Sequence, residues 1–199
     1  MVRRREIADA ALLVIGEQGA SALTAASIAT EVGVTSGALF RHFATLSEVV
    51  EAAVERAVDA AEATIPAREG APIDRLMRIA GARIELFRRN PGMAWLLLSD
   101  QVYLSVPEGA IVRLRSLVRR TRRFLLETIR EGVAEGSIRS DIEPEYLLMV
   151  FTGTVHAALG PAGVHREEAA PSAEPVLAAL RSLLCPGPTL HPLPQKEDQ

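Results

Sequence analysis

The chain has 199 residues, 48% of them apolar and 24% charged, which supplies a buried core and excludes a disordered polymer. Aromatics make up only 4%, and the abundance of Ala and Leu favours helices over strands. A net charge of −3 excludes a globally basic nucleic-acid binder, so any contact with DNA has to come from a local patch.

The start, MVRRREIADA, is basic but has no long apolar run or small-residue cleavage site, and Glu6 and Asp9 interrupt it. It is not read as a signal peptide. From Val2 to about Gln18, apolar Ile7, Ala11, Val14 and Ile15 recur at helical spacing, and Gly19 follows as a stop. Thr24 caps a second helix, whose inward face is Ile28, Ala29 and Val32 and which Gly33 ends in the left-handed conformation. Thr35 caps a third, with Leu39 and Phe43 as core anchors one turn apart.

A longer pattern runs from Thr45 to about Thr64, before the loop PAREGAP. Periodicity resumes from Ile73 to Arg89 and stops at Asn90-Pro91-Gly92. The apolar piece MAWLLLSDQVYL is broken by Val106-Pro107. A helix over about 108–135 carries Leu114, Leu117, Val118, Thr121, Leu125, Ile129 and Val133 as its buried stripe, and Gly136 ends it. Its run RLRSLVRRTRRF is read as a solvated helix with snorkelling arginines. Pro144 opens EYLLMVFTGTVHAALG, which has no polar face and is expected to be buried on every side, in a core or against another chain. EPVLAALRSLL then puts Val176, Leu177, Leu180, Leu183 and Leu184 on one side. Residues 186–199, rich in Pro and Gly, are expected to be disordered.

Two short helices joined by a Gly-containing turn form a helix-turn-helix, whose second helix enters the major groove of DNA. Small Ser36, Gly37 and Ala38 at its tip permit close approach, Thr35 suits a phosphate oxygen, and Arg41 and His42 face away from the Leu39 and Phe43 anchors. Arg3, Arg4 and Arg5 precede the first helix and can grip the backbone from the side. The same geometry arises in ordinary helical packing, so periodicity alone leaves both readings open.

The run AASIATEVGVTSGALFRHFATLSEVVEAAV resembles the DNA-binding signature of the TetR/AcrR family of bacterial repressors, and the preceding IADAALLVIGEQGASALT resembles that family's first helix. The likeness covers about residues 5 to 54. It implies an all-α fold, with a three-helix DNA-binding domain over 1–48 and a larger helical domain over 49–185 that binds an effector and dimerises. It implies DNA contacts from Thr35, Ser36, Gly37, Arg41 and His42, with Arg4, Thr24 and Phe40 at the same surface. The chain departs from the pattern at Phe40, where the family usually has Tyr, and at Leu46, where it often has Lys; both changes remove backbone contacts.

For the larger domain the expected dimer residues are Leu148, Gly153, Ala157, Leu177, Leu180 and Leu184, although two intramolecular core helices would show the same pattern. The expected pocket residues are Phe87, Met93, Trp95, Leu97, Tyr103, Phe124, Met149, Phe151 and His156, which suit a small hydrophobic effector with one or two hydrogen-bonding points. His156 reads first as a satisfied core histidine and second as a polar group of the pocket.

Remaining features exclude rather than assign. No run of about 18 apolar residues spans a membrane. Cys185 is the one cysteine, so an internal disulfide and a Cys-based zinc site are excluded. His42, His156, His165 and His191 have no ligand spacing, and no metal or cofactor is expected. There is no Gly-rich phosphate loop and no nucleophile motif, so the chain is not expected to be an enzyme. The expectation is a cytoplasmic homodimer that binds double-stranded operator DNA as a repressor. The rival is a helical ligand-binding or protein-interaction module that does not bind DNA.

Overall fold

The computed structural model describes residues 2–99, 102, 106–159 and 172–187. Regular structure among the described residues is entirely helical: α1 (Val2–Gln18), a 3-10 turn (Ala20–Ala22), α2 (Ala25–Val32), α3 (Ser36–Leu39), α4 (Leu46–Glu62), α5 (Pro72–Arg89), α6 (Pro91–Leu98), α7 (Glu108–Ala134), α8 (Pro144–Ala157) and α9 (Ala173–Leu184). The all-α expectation holds. No helix among the described residues is long and apolar enough to cross a membrane.

The chain divides into two compact units, Met1–Ala67 with Arg78–Phe124 and Arg68–Met77 with Leu125–Gln199. In the first, α1 buries Ile7, Ala11, Val14 and Ile15, as its spacing predicts, and packs against α2, α4 and α6. The core continues through Leu39, Phe43, Val49, Val54, Met93, Leu96, Leu114 and Leu117. Contact between α1 and α6 is a backbone contact: a Cβ on Gly92 would stand 1.9 Å from the Leu12 carbonyl oxygen. Ion pairs decorate this packing, Arg56 with Asp9 at 2.9 Å and Arg113 with Glu55 at 2.7 Å, with Arg120 and Glu62 alongside. Exposed pairs of this kind contribute about 0–1 kcal/mol each, so apolar burial decides the fold.

In the second unit, α8 packs against α9, and the Arg139 N–H donates to the Leu184 carbonyl at 2.9 Å. Buried residues here include Leu76, Ile129, Ile138, Leu147, Phe151 and Leu180. Arg75 is also buried, at 1% exposure, and its Nη2 lies 2.6 Å from Glu131 Oε1.

Three expectations are corrected. The third helix is one turn, ending at Leu39 with Phe40 as its C-cap, and Phe43 reaches the core from the turn that follows. Val118 is 50% exposed, because Leu114, Leu117 and Phe124 take the inward face of α7 and Val118 falls beside it. Helix α8 is not buried on every side: Leu147, Leu148, Phe151 and Val155 face inward, while Tyr146, Met149 and Val150 are exposed. The expected disorder of the tail concerns residues that, from 188 onward, lie outside those described.

Candidate functional site

Helix α2 begins at a reciprocal cap: Thr24 Oγ1 accepts from the Ser27 N–H at 3.0 Å, and Ser27 Oγ accepts from the Thr24 N–H at 3.0 Å. Thr24 therefore serves local geometry first. The helix stops at Gly33, whose φ of 73° and ψ of 38° lie in the left-handed region, accessible to glycine at no steric cost. The Val34 N–H then closes back on the Ala29 carbonyl at 2.9 Å. This reversal carries the chain into α3 within three residues.

Thr35 Oγ1 accepts from the Ala38 N–H at 3.2 Å, capping α3. That bond leaves its hydroxyl proton available as a donor. Leu39 and Phe43 are buried, and their burial turns the intervening side chains outward. Phe40 is 45% exposed, and Arg41 and His42 are exposed beside it. Gly37 is exposed too, and a Cβ there would meet nothing nearer than Thr35 Oγ1 at 4.0 Å. The openness matters toward solvent, where a partner can come within backbone distance. Thr45 then caps α4, with Glu48 returning the bond to the Ala44 N–H at 3.0 Å.

Two residues of this surface carry contacts that sequence reasoning missed. The Arg4 guanidinium donates to the His42 carbonyl and lies 3.9 Å from the centre of the Phe43 ring. It ties α1 to the end of the turn segment, so its first role is to hold that segment. It keeps further N–H donors and is exposed. Leu46 is half-buried and packs on the core, so the position where the resemblance implies lysine is here a packing position.

The expected effector residues fall on both units. Phe87, Met93 and Phe124 are buried in the first, where Trp95 and Leu97 are half-buried against the core. Phe151 is buried in the second. Met149, 67% exposed, and His156, also exposed, are corrected: neither faces an interior in this chain, because Leu148, Phe151 and Val155 occupy the inward side of α8. Tyr103 lies outside the described residues.

The dimer residues divide similarly. Leu148, Leu180 and Leu184 are buried within the chain's own packing and have no surface left for a partner. They are corrected to intramolecular core. Gly153 and Ala157 are exposed and Leu177 is half-buried. Sequence reasoning left out Tyr146, Val150 and Leu183, which are large, mostly apolar and exposed on α8 and α9.

Arg83 was also missed. It stands on the inward stripe of α5, among Ile79, Ala80, Ile84 and Phe87, a placement legible from spacing alone. Its Nε donates to Thr64 Oγ1 at 2.5 Å and its Nη2 to Thr121 Oγ1 at 3.2 Å. Burial pulls its pKa down to about 10, which leaves it a cation at neutral pH.

Comparison with known proteins agrees with this geometry. Residues 7–53 match the model of bacterial regulatory proteins of the tetR family. The nucleoid occlusion factor SlmA of Marinobacter nauticus is 30% identical over 149 residues, covering 71% of this chain and 72% of that protein. The HTH-type transcriptional repressor KstR2 of Mycolicibacterium smegmatis is 26% identical over 156 residues, 76% of this chain and 75% of that one. The structure of AibR with isovaleryl coenzyme A and operator DNA superposes with a TM-score of 0.75 at 18% identity, covering 92% of this chain and 97% of that one. A helix-turn-helix with an outward Phe40-Arg41-His42 tip, a family match over that segment and a relative shared along most of both chains converge: the chain belongs to the TetR family of bacterial regulatory proteins and is a DNA-binding transcriptional regulator.

Proposed function

We propose that the protein is a repressor that binds a pseudo-palindromic operator as a homodimer and leaves it when a small hydrophobic effector binds. Residues 1–48 form the DNA-binding domain and 49–185 the effector and dimerisation domain. The observation that carries the reading is the division of the turn segment: Leu39 and Phe43 are buried while Phe40, Arg41 and His42 are exposed. Gly37 and Ser36 lie against the groove edge, Thr35 donates to a phosphate oxygen, and Arg41 reaches a base. Thr24 and Arg4 hold the reading segment in place, and Arg4 adds a backbone contact from its free donors. The bacterial DNA it acts on makes its place of work the cytoplasm.

The exposed apolar face of α8 and α9, with Tyr146, Met149, Val150, Gly153, Ala157 and Leu183, supports pairing with a second copy. Within the first unit, Phe87, Met93, Trp95, Leu97 and Phe124 supply apolar walls for an effector. That KstR2 is named a repressor, and that AibR was solved with both an acyl-CoA and operator DNA, fits a reading in which one small ligand controls one DNA site. Differential affinity drives the release: an effector that binds better to a conformation with wrongly spaced reading segments shifts the population away from the DNA-bound form.

Gel-shift titration of the DNA flanking the protein's own gene tests the reading. A discrete complex, lost on adding a hydrophobic ligand that also perturbs Trp95 fluorescence, is the expected result. Retardation indifferent to DNA sequence contradicts it.

Phe40 gives a second prediction. A phenol at this exposed position adds one hydrogen bond to a phosphate, worth about 1.5 to 3 kcal/mol before displaced water is counted. Phe40→Tyr is therefore expected to tighten binding by roughly threefold to tenfold. The gain is equal on operator and random DNA, since phosphates carry no sequence information. Anisotropy titrations on both DNAs measure it, and unchanged affinity on both would mean that position 40 does not face a phosphate.

A further inference from the structure

Two arginines stand on the inward side of α5, Arg75 buried and Arg83 half-buried, and they differ in what meets their charge. Arg75 is the more deeply buried, and Glu131 stands 2.6 Å from it. Arg83 has no such partner. Among the described residues no carboxylate lies within ion-pair distance of it, and its bonds go to two neutral hydroxyls. The Phe87 ring centre lies 5.8 Å from its guanidinium carbon. Arg83 is half-buried, and a charge partly withdrawn from water without a counter-charge is costly, with neutral hydroxyls recovering only part of that cost. Nothing in the packing demands it. The neighbouring stripe positions Ile79, Ala80, Ile84 and Phe87 are all apolar, and an apolar residue would continue them.

The guanidinium is also pre-oriented. Thr64, just beyond the end of α4, fixes Nε, and Thr121 on α7 fixes Nη2. Of five N–H donors, these two bonds use two, which leaves both protons of Nη1 and one of Nη2. Adjacent donors on Nη1 and Nη2 match the two oxygens of a carboxylate or phosphate. Phe87, one turn further along α5, offers an apolar wall beside that charge.

We propose that Arg83 is the head-group receptor of the effector site: it takes an oxyanion, carboxylate or phosphate, of an amphiphile whose apolar chain runs along Phe87. The assignment rests on the effector reading above and sharpens it from a small hydrophobic molecule to an acidic one. Thr64 and Thr121 are positioning residues that aim the guanidinium. The ligand supplies the counter-charge that the chain itself lacks.

Calorimetric titration of the full chain with octanoate, octyl phosphate and octanol at neutral pH tests it, alongside Arg83→Met and Thr121→Val. At least one of the two anions is expected to bind the wild type roughly tenfold or more tightly than octanol, which lacks the charge-assisted pair. In Arg83→Met that preference disappears, while the melting temperature of the free variant is unchanged or higher because an unmatched charge has gone. Thr121→Val keeps the preference in weakened form. Tighter binding of octyl phosphate than of octanoate assigns a phosphate head group, and the reverse assigns a carboxylate. Absence of anion binding to the wild type, equal binding of octanol, or a preference that survives in Arg83→Met overturns the assignment. A gel shift on the same samples separates the two layers of inference. Oxyanion binding through Arg83 that leaves the operator complex intact defeats effector release but not the site. Release by ligands indifferent to Arg83 defeats the site but not effector release.

Discussion

Met149→Asp is expected to convert the protein to monomers and to lower operator affinity by at least about a hundredfold. Met149 is 67% exposed and sits between Tyr146 and Val150 on the outward face of α8, with Leu183 exposed on α9. Two copies meeting through this face would bury Met149 near its centre. A carboxylate there would lose its water without gaining a cation, an unfavourable change of several kcal/mol on each side of a two-fold interface. Met149 is exposed in the single chain, so each chain keeps its fold. Operator binding falls because two reading segments on one particle bind cooperatively, and two separate particles do not. Light scattering gives the mass and anisotropy the affinity. A Met149→Asp protein that remains dimeric moves the interface elsewhere. Leu180→Asp, by contrast, would unfold the second unit and would report nothing about association, since Leu180 is buried within the chain.

Gly92→Ala is expected to cost about 3 kcal/mol or more, the upper end for overpacking. The added methyl would stand 1.9 Å from the Leu12 carbonyl oxygen and 3.2 Å from the Gly16 amide nitrogen, both backbone atoms of α1. Neither can move without shifting the helix. On the opposing side, a Cβ on Gly16 would stand 2.8 Å from the Gly92 nitrogen, so the crossing is closed from both directions. Thermal unfolding should show a drop of about 6–12 °C for a chain of this size. Gly37→Ala serves as the control: with no atom nearer than 4.0 Å to the new Cβ, it leaves the melting temperature within about 1–2 °C. A Gly92→Ala protein as stable as the wild type would mean that α1 and α6 do not cross at this distance.

Legibility in the sequence tracks the range of the interactions involved. Thr24, Gly33, Thr35 and Thr45 mark helix ends through bonds within a few residues, and each end lies where those residues put it. The reading surface follows, because Leu39 and Phe43 are the apolar pair of a short polar segment and their burial fixes which way Arg41 points. The occupation of Arg4 could not be foreseen, since its partner carbonyl at His42 is 38 residues away and belongs to the backbone, which carries no residue code. Helix α8 failed for a different reason. Its sequence has no polar stripe, so nothing distinguishes Leu148, which faces inward, from Met149, which does not. Only tertiary packing decides, and among the described residues α8 packs against α9. Arg83 was legible and overlooked: an arginine on the inward stripe of α5 breaks the period of its neighbours, and broken local rules are expected at functional or strained positions.

Residues 35–42 are expected to read the operator sequence, and Arg41 tests this most directly. Its side chain is exposed on the outward side of the turn and belongs to no ion pair among the described residues. One arginine–base contact is worth about 1–3 kcal/mol of discrimination, and a dimer makes it twice. Anisotropy titrations of wild type and Arg41→Ala are to be run at several salt concentrations, on the operator and on a random duplex. A loss of roughly thirtyfold or more on the operator, with less than about threefold on random DNA, is expected for a base-reading residue. Equal losses on both DNAs, or none on either, would contradict the claim that this segment reads bases.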